Sequence, residues 1–209
     1  YEYVLEVPDK LNGNILRIAE AVKERWQLRT LHFTKAKQIL PYARDIFNMI
    51  NEAYKDLYNV VPLTDEQVDF YVKQYFSVAN PDFVKIVVDK DNRMAAFGIG
   101  FPSLAKTLQK TKGKLLPLGF IRLLKALKVN ESVDMVLVAV RPDLQGKGVN
   151  SLLMTAMAEA CWKNGIKVVH LNPQLENNLK VRTQWKHFPS SQNKKRRCYY
   201  KDLRASKRA

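Results

Sequence analysis

An apolar strand, a turn with two glycines and an apolar helix follow one another without a break between residues 132 and 163. The strand run is VDMVLVAV, the turn is RPDLQGKG, and the helix opens on VNSLLMTAMAEAC. A continuous apolar strand that feeds a helix through a short turn belongs to an α/β sheet covered on both faces. A helix N-terminus presents unpaired N–H groups and a partial positive charge. Glycine lets an anion approach that backbone closely, because no Cβ intervenes. The turn therefore suits a diphosphate. It is not a Walker loop, since no Gly-Lys-Ser/Thr closes it, and it is not a GxGxxG dinucleotide turn.

The rest of the chain punctuates into similar elements. Ile15, Ile18, Ala19 and Val22 share one face of a helix over 14–26, and LRTLHF (28–33) alternates like a strand. Residues 36–58 read as a helix with Pro41 in its first turn and an apolar stripe of Ile39, Ala43, Ile46, Phe47, Ile50 and Tyr54. Thr64 stands in an N-cap position for a helix over 62–76. Residues 84–101 read as a hairpin around DKDN. An amphipathic helix over 117–128 sets Phe120, Leu123, Leu124 and Leu127 against Arg122, Lys125 and Lys128. After the strand at 132–140 and the helix at 149–163 come a strand at 167–172, a helix at 175–188 and a strand at 196–203. The order β-α-α-β-β-(insert)-β-α-β-α-β gives an α/β domain with a mixed central sheet flanked by helices.

Charge is unevenly spread. The formal net charge is +15. Residues 92–130 hold eight Lys or Arg and no acid, and residues 180–209 hold eleven against Asp202 alone. The remainder is slightly acidic. Two local basic regions favour a polyanionic ligand such as a phosphorylated cofactor, a nucleic acid or a membrane surface, against the plainer reading of solubility. The tail KKRRCYYKDLRASKR interleaves basic and aromatic residues as single-strand binders do, but no nucleic-acid-binding motif accompanies it. Cys161 and Cys198 make neither a disulfide framework nor a metal cluster, so no metal is expected, and the thiols fit a reducing, cytoplasmic setting. No apolar run reaches the ~20 residues of a bilayer span, and no signal-peptide pattern opens the chain. The chain opens on Tyr1 rather than Met, so its natural start is expected to lie upstream.

The stretch Gln145-Gly146-Lys147-Gly148-Val149-Asn150 resembles the acetyl-coenzyme A motif of the GNAT N-acetyltransferase superfamily, Gln/Arg-x-x-Gly-x-Gly/Ala. Asn150 departs from its usual Gly or Ala, and its side chain either crowds the helix entry or caps the helix. The order of elements over 28–203 is similar to a GNAT acyl-CoA N-acyltransferase fold. VPLT (61–64), the insert at about 104–130 and LENN (175–178) are similar to a group of longer bacterial proteins in which this domain is the C-terminal half. Residues 1–27 are then expected to be a connector helix, and 204–209 a basic tail. The resemblance implies acetyl-coenzyme A as co-substrate and an amine on a small molecule or peptide as acceptor. It implies that the backbone of Val138, Ala139 and Val140 pairs with the pantetheine arm, that the amides of 145–150 hold the diphosphate, and that Asn178 touches the cofactor. Seven residues after Asn178, many members keep a tyrosine that protonates the departing thiolate. Trp185 stands there instead.

An amine nucleophile must lose a proton near the reacting carbonyl. Asp134, six residues before Val140, matches the position of a glutamate in the histone-acetylating branch of the superfamily. Its other reading is a solvent-facing residue at a strand start. His170 is a second candidate base, with a satisfied structural histidine as its ordinary alternative. The insert helix is either a lid over the acceptor or a packing helix. The lysines at 106, 110, 112 and 114 meet an acidic acceptor, a cofactor phosphate or only solvent. Besides acetyl transfer, two other functions stay open: a coenzyme A-binding module without turnover, and nucleic-acid binding. The number of subunits is not legible.

Overall fold

The computed structural model describes residues 1–75 and 79–201. Strand β1 (Glu2–Glu6) precedes helix α1 (Gly13–Arg25), strand β2 (Arg29–Leu31), helix α2 (Ala43–Tyr54) and helix α3 (Asp65–Tyr75). The hairpin β3 (Val84–Val88) and β4 (Met94–Pro102) leads to an insert of two helices, α4 (Ala105–Thr111) and α5 (Gly119–Lys128). Strand β5 (Ser132–Val140), helix α6 (Asn150–Lys163), strand β6 (Val168–Leu171), helix α7 (Leu179–Thr183) and strand β7 (Ser190–Lys194) complete the order. The strands form one mixed sheet in the order β2-β3-β4-β5-β6-β1-β7. Its parallel pair is β5 with β6, and the other neighbours run antiparallel. This is the GNAT acyl-CoA N-acyltransferase fold.

Both faces of the sheet are covered. Ile46, Phe47 and Ile50 of α2 pack on Ile86, Phe97 and Ala139 on one face. Ala19 and Val22 of α1 meet Leu152 and Leu153 of α6 on the other. Further along that second face, Met157 and Cys161 of α6 cover Val133, Val169 and Leu5. Local chemistry sets the helix starts. The Asn12 side chain accepts the Asn14 N–H ahead of α1. The Thr64 hydroxyl accepts the Gln67 N–H at 3.3 Å, and the Gln67 side chain accepts the Thr64 N–H at 3.0 Å, a reciprocal capping box.

The structure departs from the sequence reading in five places. Residues 1–27 are not only a connector helix: β1 lies inside the sheet, between β6 and β7, and α1 packs on α6. The helix expected from residue 36 starts as two 3-10 turns around Pro41, whose missing N–H and fixed φ suit a turn ahead of α2. The helix expected over 175–188 is confined to α7 and a following 3-10 turn, because Asn178 takes the N-cap and its side chain accepts the Val181 N–H. The last strand is β7, at 190–194 rather than 196–203. Residues 195–201 carry no regular structure, and the basic tail 204–209 lies outside the described residues. Finally, Phe120 and Leu124, on the apolar face of α5, are exposed rather than packed on the sheet.

Candidate functional site

Strands β5 and β6 pair over only four positions, from Ser132 with Val168 to Met135 with Leu171. Beyond Met135 they part. A bulge marks the place: Gly100 pairs with Met135 and Ile99 with Leu137, so Val136 is the extra residue. A bulge bends its strand and frees an edge. A cavity of about 440 Å³ occupies the gap. Met154, Met157 and Cys161 of α6 line it from one face of the sheet, and Tyr54 and Leu57 from the other. The cavity therefore lies at the splay, bounded by side chains from both faces of the sheet.

Side chains hold the carbonyls of the freed β5 edge. Asn172 Nδ2 donates to Val136 O at 2.8 Å, Tyr54 Oη to Val138 O at 2.6 Å, and Gln145 Nε2 to Val140 O at 3.1 Å. The N–H and C=O of one strand residue point to the same side, so the Val138 and Val140 N–H groups stand on this edge too. Burial pushes the Tyr54 hydroxyl above its ordinary pKa, against the Val138 carbonyl bond, which pulls it down. Two polar groups lining the cavity are buried with no partner among the described residues: the indole Nε1–H of Trp185 and Oε1 of Gln174.

The glycine turn leaves β5 as a 3-10 turn (Pro142–Leu144) and enters α6. Gly146 and Gly148 have φ of +75° and +83°, the left-handed region that other residues rarely adopt. Gly148 has a second constraint: a Cβ there would meet Ile18 at 3.0 Å and Val22 at 3.2 Å on α1, whereas one on Gly146 would meet nothing within 4 Å. Gln145 N–H and Lys147 N–H are spent inside the turn, on Pro142 O and Leu144 O. The N–H groups of Gly146, Gly148 and Val149 bond no group among the described residues. Lys147 lies over the Trp26 ring, 4.4 Å from its centroid. Arg141 is tied to Asp89 at 2.9 Å and to Asp143 at 2.7 Å, which fixes the turn and occupies that cation.

The expected site residues thus fall into three groups. Val138, Asn150 and Asn178 line the cavity. Asn150 neither crowds the helix entry nor caps it: Val149 is the N-cap, and the Asn150 amide donates to Gln184 Oε1 at 2.8 Å. Gln145, Gly146, Lys147, Gly148 and Val149 form the turn beside it, while Ala139 and Val140 are buried in the sheet. Asp134 and His170 do not line the cavity. They sit at paired positions on β5 and β6. Their neighbours Val133, Met135, Val169 and Leu171 pack toward α6, so by alternation both face the α2 side, next to each other. Glu176 accepts the Tyr1 hydroxyl at 3.0 Å.

Tyr54 is one of the cavity residues that sequence reasoning missed, with Asn172 and Gln174. Its place in the apolar stripe of α2 marked it as core, and nothing local marks a tyrosine whose hydroxyl reaches a strand 84 residues away. Cys161 lines the cavity but is only 1% exposed, and burial pushes its thiol up to about 11, which makes it a poor nucleophile.

Residues 44–183 match the family model described as the acetyltransferase (GNAT) family. Protein YghO of Escherichia coli (strain K12) is 22% identical over a 193-residue alignment that covers 90% of this chain and 48% of that protein. The chain thus spans about half the length of the curated relative it matches. Among solved structures, an aminoglycoside acetyltransferase from an uncultured soil metagenomic sample superposes with a TM-score of 0.51 at 11% identity, over 87% of this chain and 99% of that one. A GCN5-related glucosamine N-acetyltransferase region of a fungal multi-domain β-N-acetylglucosaminidase superposes with the same score at 10% identity, over 87% of this chain and 19% of that one. At these identities the likeness is one of fold.

Proposed function

The chain belongs to the acetyltransferase (GNAT) family, and from that premise we propose that it passes an acetyl group from acetyl-coenzyme A directly to an amine nitrogen of a small molecule or peptide. The observation that carries the reading is the freed edge of β5, with the Val138 N–H beside a cavity lined from both faces of the sheet. The residues present fit coenzyme A. The free amides of Gly146, Gly148 and Val149 at the start of α6 suit its diphosphate. The edge at Val138–Val140 suits an extended amide-bearing arm, and the unpartnered Trp185 and Gln174 groups leave a donor and an acceptor waiting in the cavity.

Acetyl-coenzyme A, when bound, supplies a thioester carbonyl open to attack. The Val138 N–H donates to an oxygen that gains negative charge at this edge. Asp134, with His170 beside it, takes the proton of the amine through water, because neither residue reaches the cavity wall. Tyr54 supplies the proton that Trp185 cannot. Its raised pKa keeps the hydroxyl protonated throughout the neutral range, and it already points into the splay. Cys161 takes no acyl group, so transfer is direct.

Trp185 favours a second reading, a coenzyme A-binding module without turnover. Calorimetry with acetyl-coenzyme A, followed by thiol release with a library of amines, separates the two. Absence of binding would overturn both readings, and binding without release on any amine would leave the module.

A further inference from the structure

The insert between β4 and β5 is built unlike the rest of the surface. Asn130 closes its base: the side chain donates to Ser103 O and accepts the Ser132 N–H at 3.0 Å. Above that neck, α4 and α5 pack on each other, and α5 touches β4. The linking loop and the first turns of α5 expose a run of large apolar side chains: Leu115, Leu116, Leu118, Phe120 and Ile121, each half or more exposed, with Leu116 at 82%. Such contiguous apolar exposure on a soluble surface marks a contact face.

The charge around this tip identifies what covers it. Seven Lys or Arg lie between Lys106 and Lys128, and residues 101–130 contain no Asp or Glu. None of these seven cations makes a salt bridge with a carboxylate among the described residues. A water-exposed helix face ordinarily mixes both signs, whereas apolar side chains ringed only by cations match a layer with an anionic surface and an apolar interior. Lysine stems also lie along apolar surroundings while their ammonium groups stay at the headgroups. We propose that the α4–α5 insert docks the protein on anionic phospholipid membrane, with Leu116, Phe120 and Ile121 entering the headgroup boundary and the lysines meeting lipid phosphates. The contact is interfacial: among the described residues no helix is long and apolar enough to cross a bilayer.

The test is co-sedimentation of the whole chain with vesicles of phosphatidylcholine alone and of phosphatidylcholine with phosphatidylglycerol. The expected result is retention on the phosphatidylglycerol vesicles, weakened by salt, with little on the neutral ones. A Leu116→Ser, Phe120→Ser, Ile121→Ser variant is expected to lose retention. All three residues are exposed, so its circular dichroism should match that of the parent. Lys112→Gln with Lys114→Gln is expected to lower partitioning by roughly an order of magnitude. No retention on anionic vesicles overturns the proposal. So does undiminished retention of the triple serine variant, which would assign binding to the basic C-terminal region. Self-association of the parent that disappears in the triple variant also overturns it, because the tip would then be covered by a second copy of the chain.

Discussion

The hydroxyl of Tyr54, at the end of α2, donates to the carbonyl of Val138 in β5 at 2.6 Å. The bond spans the splay from one side and ties the α2 face to the edge where chemistry is proposed. Tyr54→Phe keeps the ring and removes the proton. Acetyl-transfer rate should fall by about 10²-fold with acetyl-coenzyme A affinity kept, and stability should drop by about 1 kcal/mol. The pH dependence has a definite sign. The folded-state pKa is raised, so the contribution of the neutral hydroxyl is fully present below the unfolded value of about 10 and is lost as pH rises through the folded value. Denaturant melts across the alkaline range should therefore show a steeper loss in the parent than in the Phe variant. Parallel curves would mean that Tyr54 is not buried in solution.

Asp134 and His170 share one level and one face of the sheet. Asp134→Asn should lower turnover by roughly 10²-fold near neutral pH, with the loss shrinking at alkaline pH, where the amine is already free. Because His170 is adjacent, the double variant with His170→Gln should cost less than the product of the two single losses. Steady-state rates on one acceptor decide this. A normal rate for the Asn variant would leave Asp134 as a strand residue only.

Two glycines in one turn should respond differently. Gly146 faces open space but has a positive φ, so Gly146→Asp should fold at a cost of about 1 kcal/mol and bind acetyl-coenzyme A at least tenfold more weakly, through a carboxylate beside the free amides. Gly148→Ala should instead destabilise by about 2–3 kcal/mol, because its Cβ would press on Ile18 and Val22 at a positive φ. Calorimetry and denaturant melts, run on both variants, expose a swapped assignment directly.

Direct transfer predicts a silent thiol. Under native conditions a maleimide should label the exposed Cys198 and leave Cys161 unmodified, since only a thiolate reacts and burial holds Cys161 near 11. Incubation with acetyl-coenzyme A alone should add no acetyl mass to the protein. An acetylated Cys161 peptide in the mass spectrum would replace direct attack with a two-step route.

The segment from 132 to 163 was legible because each element there declares itself within its own residues: nine consecutive strand residues, two glycines, then an apolar helix. Thr64 and Gln67 were legible for the same reason, as a cap reads over four positions. What escaped depends on partners far away in sequence. Ser190–Lys194 is polar and exposed throughout, with no alternation to betray a strand; only the ladder to β1 makes it one. Glu2–Glu6 is five residues long, and its role comes from β6 and β7. Tyr54 looked like core because its ring is core, and only its hydroxyl belongs to the cavity. The family motif located the turn, but it could not tell that Gly148 is also held by α1.

Strand β1 completes the sheet between two strands that lie more than 160 residues further along the chain. The β1–β6 and β1–β7 ladders therefore close the longest loops among the described strand pairs, and closing long loops is what slows folding. On the ribosome the hairpin β3–β4 and helices α1 to α3 can assemble early, while residues 2–6 wait for β6 and β7 to emerge. Until β1 docks, the outer edge of β6 is open next to the cavity. The cavity is thus a late product of folding, shaped only when β1 meets β6 and β7.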